Sequence, residues 1–130
     1  MNLTLAQHLG ALEARLIESP AIVSYQILRQ EISSVDGKWR TRATTSDGGQ
    51  AEFFLYLAES RGQVELLRYS FHWQDGQGRL RRRWDNAPHY PDLPNAPHHI
   101  HDANGQVRPA DGLPDFSGMM KAMEAELAER

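Results

Sequence analysis

Leucine recurs at positions 5, 9, 12 and 16 near the start of the chain. That spacing lines the four side chains along one narrow stripe of a helix. Thr4 and Gln7 fit a capping box at its start, and Ser19-Pro20 closes it, because the residue before a proline is pushed out of the α region. From Ala21 the pattern changes to β-branched and aromatic residues divided by turn signals at Asp36-Gly37, Asp47-Gly48-Gly49, Ser60-Arg61-Gly62 and Asp75-Gly76-Gln77-Gly78. The pattern predicts five strands, at Ile22 to Ser33, Lys38 to Thr44, Gln50 to Ala58, Gln63 to Gln74 and Arg79 to Trp84. Connections this short favour an antiparallel meander over crossovers.

Asp85 to Pro97 holds four of the seven prolines, which excludes a central strand or a helix interior and predicts an extended loop. So long a loop in so small a chain points to function. His98 to His101 resume an extended run, Asp102 to Gly105 make a turn, and Gln106 to Arg108 return as a short hairpin arm. Pro114-Asp115 opens a closing amphipathic helix with Phe116, Met119, Met120, Met123 and Leu127 on one face, and Glu126 is spaced to pair with Arg130. A methionine stripe at this spacing reads as core rather than as a partner surface. The expected architecture is α+β, one domain over residues 1–130. An antiparallel meander of about five to seven strands carries an N-terminal and a C-terminal helix on one face.

Composition narrows the chemistry. The 130 residues include no cysteine, which excludes thiolate catalysis, disulfides and cysteine metal sites, and leaves six histidines as the residues to place. His8 is expected at the surface of the first helix; the other five lie between positions 72 and 101. The start of the chain lacks a signal-peptide pattern and no apolar run reaches membrane-span length, so a cytoplasmic protein without membrane association is expected. A net charge of −3 argues against a broadly basic nucleic-acid coat, but it hides a local excess, with Arg79, Arg81, Arg82 and Arg83 within five positions.

The turn at residues 75–78 predicts a hairpin in which Gln74 faces Arg79, Trp73 faces Leu80 and His72 faces Arg81. Tyr69, Phe71, Trp73, Leu80, Arg82 and Trp84 then share the face toward the helices. Arg68, Ser70, His72, Arg79, Arg81, Arg83 and Asp85 share the other, with Arg68 opposite Asp85 and Ser70 opposite Arg83. Guanidinium forks bind phosphate, and histidine exchanges protons near neutral pH, so this polar face outlines a site for a phosphodiester. It reads equally well as a solvated sheet face bearing salt bridges. In His98-His99-Ile100-His101-Asp102, alternation puts His99 and His101 on one side of a strand. These two with His89 and Asp102 fit a metal site, or they supply acid and base beside the arginines.

Tyr69-Ser70-Phe71-His72-Trp73-Gln74, then Arg82-Arg83-Trp84-Asp85-Asn86-Ala87-Pro88-His89, then Pro97-His98-His99-Ile100-His101 together resemble the TumE family of small bacterial toxins. The resemblance covers about the second half of the strand region and its loop. It implies a type II toxin–antitoxin module with a neutralising helix-turn-helix antitoxin as partner. At position 90 a tyrosine follows His89, where many relatives are expected to carry a second histidine.

These readings combine into a toxin acting on RNA as a metal-independent endoribonuclease without a cofactor. His72, Arg83, Asp85, His89, His99 and His101 are the catalytic candidates. Arg81 and Arg83 hold the phosphate, the histidines share the proton transfers, and Asp85 orients a ring. Arg68, Arg79, Arg81, Arg83 and Trp84 are the RNA-binding candidates, although the parity of Trp84 favours burial. Two alternatives are a metal enzyme or metal-stabilised fold using His89, His99 and His101, and a non-catalytic module docking nucleic acid or an acidic partner. Association as a homodimer is left open.

Overall fold

The computed structural model describes residues 2–110 and 115–129. Helix α1 spans Leu3–Glu18 and buries Leu5, Leu9, Leu12 and Leu16, as their spacing predicts. Its cap is Asn2 rather than Thr4: the Asn2 side-chain oxygen accepts from the Leu5 backbone N–H at 3.1 Å, which places Thr4 inside the first turn. Ser19 closes the helix, its N–H bonding back to the Leu16 carbonyl.

Seven strands follow in chain order: β1 Ile22–Ile32, β2 Asp36–Thr45, β3 Gln50–Ser60, β4 Gln63–Gln74, β5 Leu80–Asp85, β6 His99–Asp102 and β7 Val107–Pro109. Each pairs antiparallel with the next, so spatial order equals sequence order. Helix α2, Phe116–Ala128, closes the chain, capped by the Asp115 carboxylate on the Gly118 N–H at 2.6 Å. Pro114 and Arg130, which the sequence places at the helix start and opposite Glu126, lie outside the described residues. Among the described residues no helix is long and apolar enough to cross a membrane.

Alternation along the strands sorts the two faces of the sheet. Trp39 and Ala43 from β2, Ala51, Phe53, Leu55 and Leu57 from β3, Tyr69, Phe71 and Trp73 from β4 and Trp84 from β5 form one cluster with both helices. From α2 the cluster takes Phe116, Met119, Met120 and Met123, so the methionine stripe is core. Both helices therefore cover the same face. The opposite face keeps polar side chains and is available for chemistry.

The two helices are also tied to each other. The Arg15 guanidinium donates to both Glu124 oxygens at 2.8 Å, and Ser19 Oγ donates to Glu124 Oε2 at 2.6 Å. The Arg15 hydrogen bond is the largest cause holding the Glu124 carboxyl below its ordinary value. A carboxylate lowered in the folded state stabilises the fold above its unfolded pKa, and that contribution is lost as pH falls through the folded value. Glu124→Gln is therefore expected to cost about 1 kcal/mol at pH 7. The difference from the parent chain should shrink as the pH falls below the ordinary glutamate value of 4.5, which denaturant midpoints measured at several pH values would check.

The β4–β5 hairpin departs from the expected register. Gln74 pairs with Leu80 but Trp73 pairs with Arg82, so Arg81 is the extra residue of a bulge. Beyond it His72 faces Arg83 and Ser70 faces Asp85, not Arg81 and Arg83. Arg68, expected opposite Asp85, pairs instead with Tyr56 across β3. Arg81 also leaves the polar face. It is 8% exposed, its guanidinium lies 4.7 Å from the Trp73 ring centre, and Asp47 and Glu126 stand at 3.5 and 4.0 Å. Arg82 lies over Trp84 and reaches Glu126 at 3.7 Å, so Glu126 faces the β5 arginines.

Candidate functional site on the outer sheet face

Successive registers line up one row of side chains across five strands of the polar face. Arg42 pairs with Glu52, Glu52 with His72, His72 with Arg83 and Arg83 with His101. The neighbouring row runs Arg40, Phe54, Ser70, Asp85 and His99. With strands about 4.8 Å apart, residues nearly sixty positions apart in sequence become a continuous strip.

At one end of the strip Asp85 is the hub. It is 4% exposed, yet donors meet both of its oxygens. Arg83 Nε reaches Oδ2 at 2.9 Å, the Ala87 backbone N–H reaches Oδ1 at 3.1 Å, and His99 Nε2 lies 2.9 Å from Oδ1. His101 Nε2 stands 3.7 Å from Oδ2. This density of donors makes a buried carboxylate tolerable.

His99 is 1% exposed and its two ring nitrogens both face oxygen. Nδ1 donates to the Pro97 carbonyl at 2.9 Å, which leaves Nε2 aimed at Asp85. The His99 and His101 ring centres are 4.9 Å apart. His101 is partly open, with 27% of its side chain exposed. Burial lowers the His101 pKa, Asp85 acts to raise it, and His99 and Arg83 act to lower it.

The proline-rich loop seals this end. The ring of Tyr90 meets His99 edge-on at 4.9 Å between centres and His101 at 6.1 Å. Asn86 anchors the start of the loop on β4, accepting from the Tyr69 N–H and donating to the Leu67 carbonyl. Asn95 holds the far end through the Ala110 carbonyl at 2.7 Å. His98 turns to the core side, where its Nδ1 meets the Tyr69 hydroxyl at 2.8 Å, as alternation along the strand requires. Burial lowers the pKa of His98 and raises that of Tyr69, so both are neutral structural groups at pH 7.

Towards the middle of the strip, Arg42, Gln50, Glu52, His72 and Gln74 line an open polar pocket of about 390 Å³. Arg40 and Arg42 both bond Glu52, at 2.9 and 3.1 Å. Arg83 has 43% of its side chain exposed, and its Nε contact with Asp85 leaves the terminal amino groups without a partner among the described residues. It is the cation of the strip best placed to take an anion.

The structure thus brings together Asp85, His99 and His101, with Arg83 and His72 beside them. It does not bring in the other candidates. His89 is exposed on the loop next to Tyr90 and outside the three-residue cluster. Asp102 pairs with Arg82 across the strands and receives Arg108. Arg79 is exposed at the β4–β5 turn, bonded to Asp75 and Gln77. Arg68 is exposed on β4 beyond the end of β5. Trp84 is buried, so it is unavailable to stack a base. His8 is half-buried instead of exposed, lining a cleft with Leu12, Leu55 and Phe116, and its pKa is lowered by burial.

Sequence reasoning missed three parts of the site. Arg42 and Glu52 lie in strands with no motif, and only the register of β2, β3 and β4 reveals them. Tyr90 had a signal, its place between His89 and Pro91 in a loop singled out as functional. A family model described as Toxin TumE matches residues 12–130, all but the first eleven positions. No curated protein and no solved structure matches the chain.

Proposed function

The chain belongs to the TumE toxin family, and from that membership together with the outer-face strip we propose that it is the toxin of a toxin–antitoxin pair and acts on RNA as a metal-independent endoribonuclease. The observation that carries this reading is the row in which Arg83 stands between His72 and His101, with Asp85 beside it. Cleavage of RNA through its own 2′-hydroxyl needs a base for that hydroxyl, an acid for the leaving oxygen and positive charge on the phosphate. The free fork of Arg83 supplies the charge. His101 and His72 flank it in register and share the two proton transfers.

Asp85 and His99 are positioning residues in this scheme. Both are buried, so neither meets the substrate; Asp85 holds the Arg83 guanidinium and faces His101, and His99 fixes Asp85. The polar pocket beyond His72 lies where the strip continues and offers amide and charged groups to a nucleotide next to the bound phosphate. The partner is a cognate antitoxin, expected to be of the helix-turn-helix type, which neutralises the toxin.

Induced expression with and without the neighbouring antitoxin gene, followed by mapping of RNA ends, tests the reading. Growth arrest accompanied by new RNA termini, both suppressed by the antitoxin, is expected. Arrest without new termini would refute RNA cleavage and turn attention to another target.

A further inference from the structure

We propose that Asp85, His99 and His101 form a binding site for one divalent transition-metal ion of the Zn²⁺ class, and that the occupied site is the silent form of the toxin. The site itself stands on geometry alone. The silencing rests on the acid–base reading of His101 given above.

The three ligand atoms are already gathered. One ring nitrogen of His99, one of His101 and a carboxylate oxygen of Asp85 all lie within 4.8 Å of one another. Ligand atoms about 2.1 Å from a tetrahedral Zn²⁺ sit about 3.4 Å apart. His99 Nε2 lies 2.9 Å from Oδ1 of Asp85 and His101 Nε2 lies 3.7 Å from Oδ2, on either side of that value and to different oxygens, so rotation of the carboxylate together with the rings brings the three residues onto one ion. The fold explains the convergence. His99 and His101 project from one face of β6 at alternate positions, and Asp85 lies directly across from His99 on β5.

The surrounding groups are those that metal ligands require. The Pro97 carbonyl accepts a hydrogen bond from Nδ1 of His99 and so orients Nε2 as the ligating atom. Arg83 Nε and the Ala87 N–H orient the carboxylate. Tyr90 limits the approach of water to His99, and the partial exposure of His101 leaves a way in. His99 Nε2 and His101 Nε2 both stand close to the Asp85 carboxylate, at 2.9 and 3.7 Å, so one ion placed between them bonds all three residues.

Two imidazoles and one carboxylate select Zn²⁺, Co²⁺ or Fe²⁺ over Mg²⁺ and Ca²⁺, which prefer oxygen ligands throughout. Three protein ligands leave a position open for water or a phosphate oxygen. His101 Nε2 bonded to an ion can neither accept nor give a proton, so the ion removes one of the two groups on which cleavage depends.

The test uses untagged full-length protein stripped with a chelator, then titrated with Zn²⁺ by calorimetry and with Co²⁺ by visible absorption. One equivalent per chain is expected, with ligand-field bands of low-coordinate Co²⁺ and a thermal midpoint raised by Zn²⁺. His101→Gln and Asp85→Asn should weaken binding at least tenfold. His89→Ala, outside the cluster, should leave it unchanged, and circular dichroism checks that each variant folds. Absence of saturable one-equivalent binding would overturn the site, as would binding unaltered in a folded His101→Gln protein.

An RNA-cleavage arm separates this inference from the reading beneath it. Cleavage by the stripped protein that falls at least tenfold with one equivalent of Zn²⁺ supports silencing. Cleavage that requires the ion would keep the site and overturn both silencing and metal independence. Stoichiometric binding with no cleavage in any form would keep the site and remove the ribonuclease reading together with the silencing built on it.

Discussion

Replacing His101 by alanine is expected to lower RNA cleavage by roughly 10²–10⁴-fold, the usual contribution of a positioned acid or base. His101 is the histidine of the cluster that a substrate can reach, with 27% of its side chain exposed and Arg83 opposite it on β5. Its partial exposure also means that truncation leaves no closed cavity, so the thermal midpoint should move little. The loss of rate is then assigned to chemistry and not to folding. The measurement is the single-turnover cleavage rate of purified protein, read beside a thermal melt. A folded His101→Ala protein that cleaves at the parent rate would sink the role given to this residue. His99→Ala makes the instructive contrast, because His99 is almost fully buried, bonds the Pro97 carbonyl and lies 2.9 Å from Asp85, so its removal should lower stability as well as rate.

Phe116→Ala is expected to cost about 3–5 kcal/mol of stability, the range for truncating a buried aromatic residue. Phe116 is the first residue of α2 and packs edge-on against three rings at once. Trp39, Phe53 and Phe71 lie at 5.7, 5.2 and 6.0 Å between centres. These rings come from three adjacent strands, so the residue pins the start of the helix to the middle of the sheet. A loss of this size is a large fraction of the 5–15 kcal/mol typical of a small domain. Urea denaturation should show a much lower midpoint. Because α2 covers the face opposite the site, the folded fraction of Phe116→Ala should still cleave RNA at the parent rate. A midpoint shifted by less than the equivalent of 1 kcal/mol would contradict the packing role.

Much of the fold was legible in the sequence because its signals are local. Leucine spacing marked α1, alternation and turn residues marked the strands within a few positions, and the prolines marked the loop, although its expected first residue, Asp85, is the last of β5. The methionine stripe was correctly read as core, and α2 begins next to Asp115 as predicted. The cap at Asn2 was missed because Thr4 offered a competing capping box, and which of the two holds depends on where the first turn meets its neighbours. Asn2 also bonds the Ser34 carbonyl across 32 residues, a contact invisible to local pattern.

The candidate site was legible in kind but not in arrangement. His72, Arg83, Asp85, His99 and His101 were named from residue type and strand parity, and the structure places all five on one face. Arg81 was placed with them by simple alternation, and a single bulged residue sent it into the core side. His89 was grouped with His99 and His101 by nearness in sequence, yet the loop carries it outward and puts Tyr90 over their rings. Periodicity is a property of one strand and can be summed along the chain, so the sequence by itself determined which side chains share a face wherever the strand runs without a bulge. Register is a property of pairs of strands, set by ladder hydrogen bonds, and here the bulge seats Arg81 over Trp73 and near Asp47 and Glu126. Only the tertiary structure could therefore decide that Asp85, rather than His89, completes the cluster with His99 and His101.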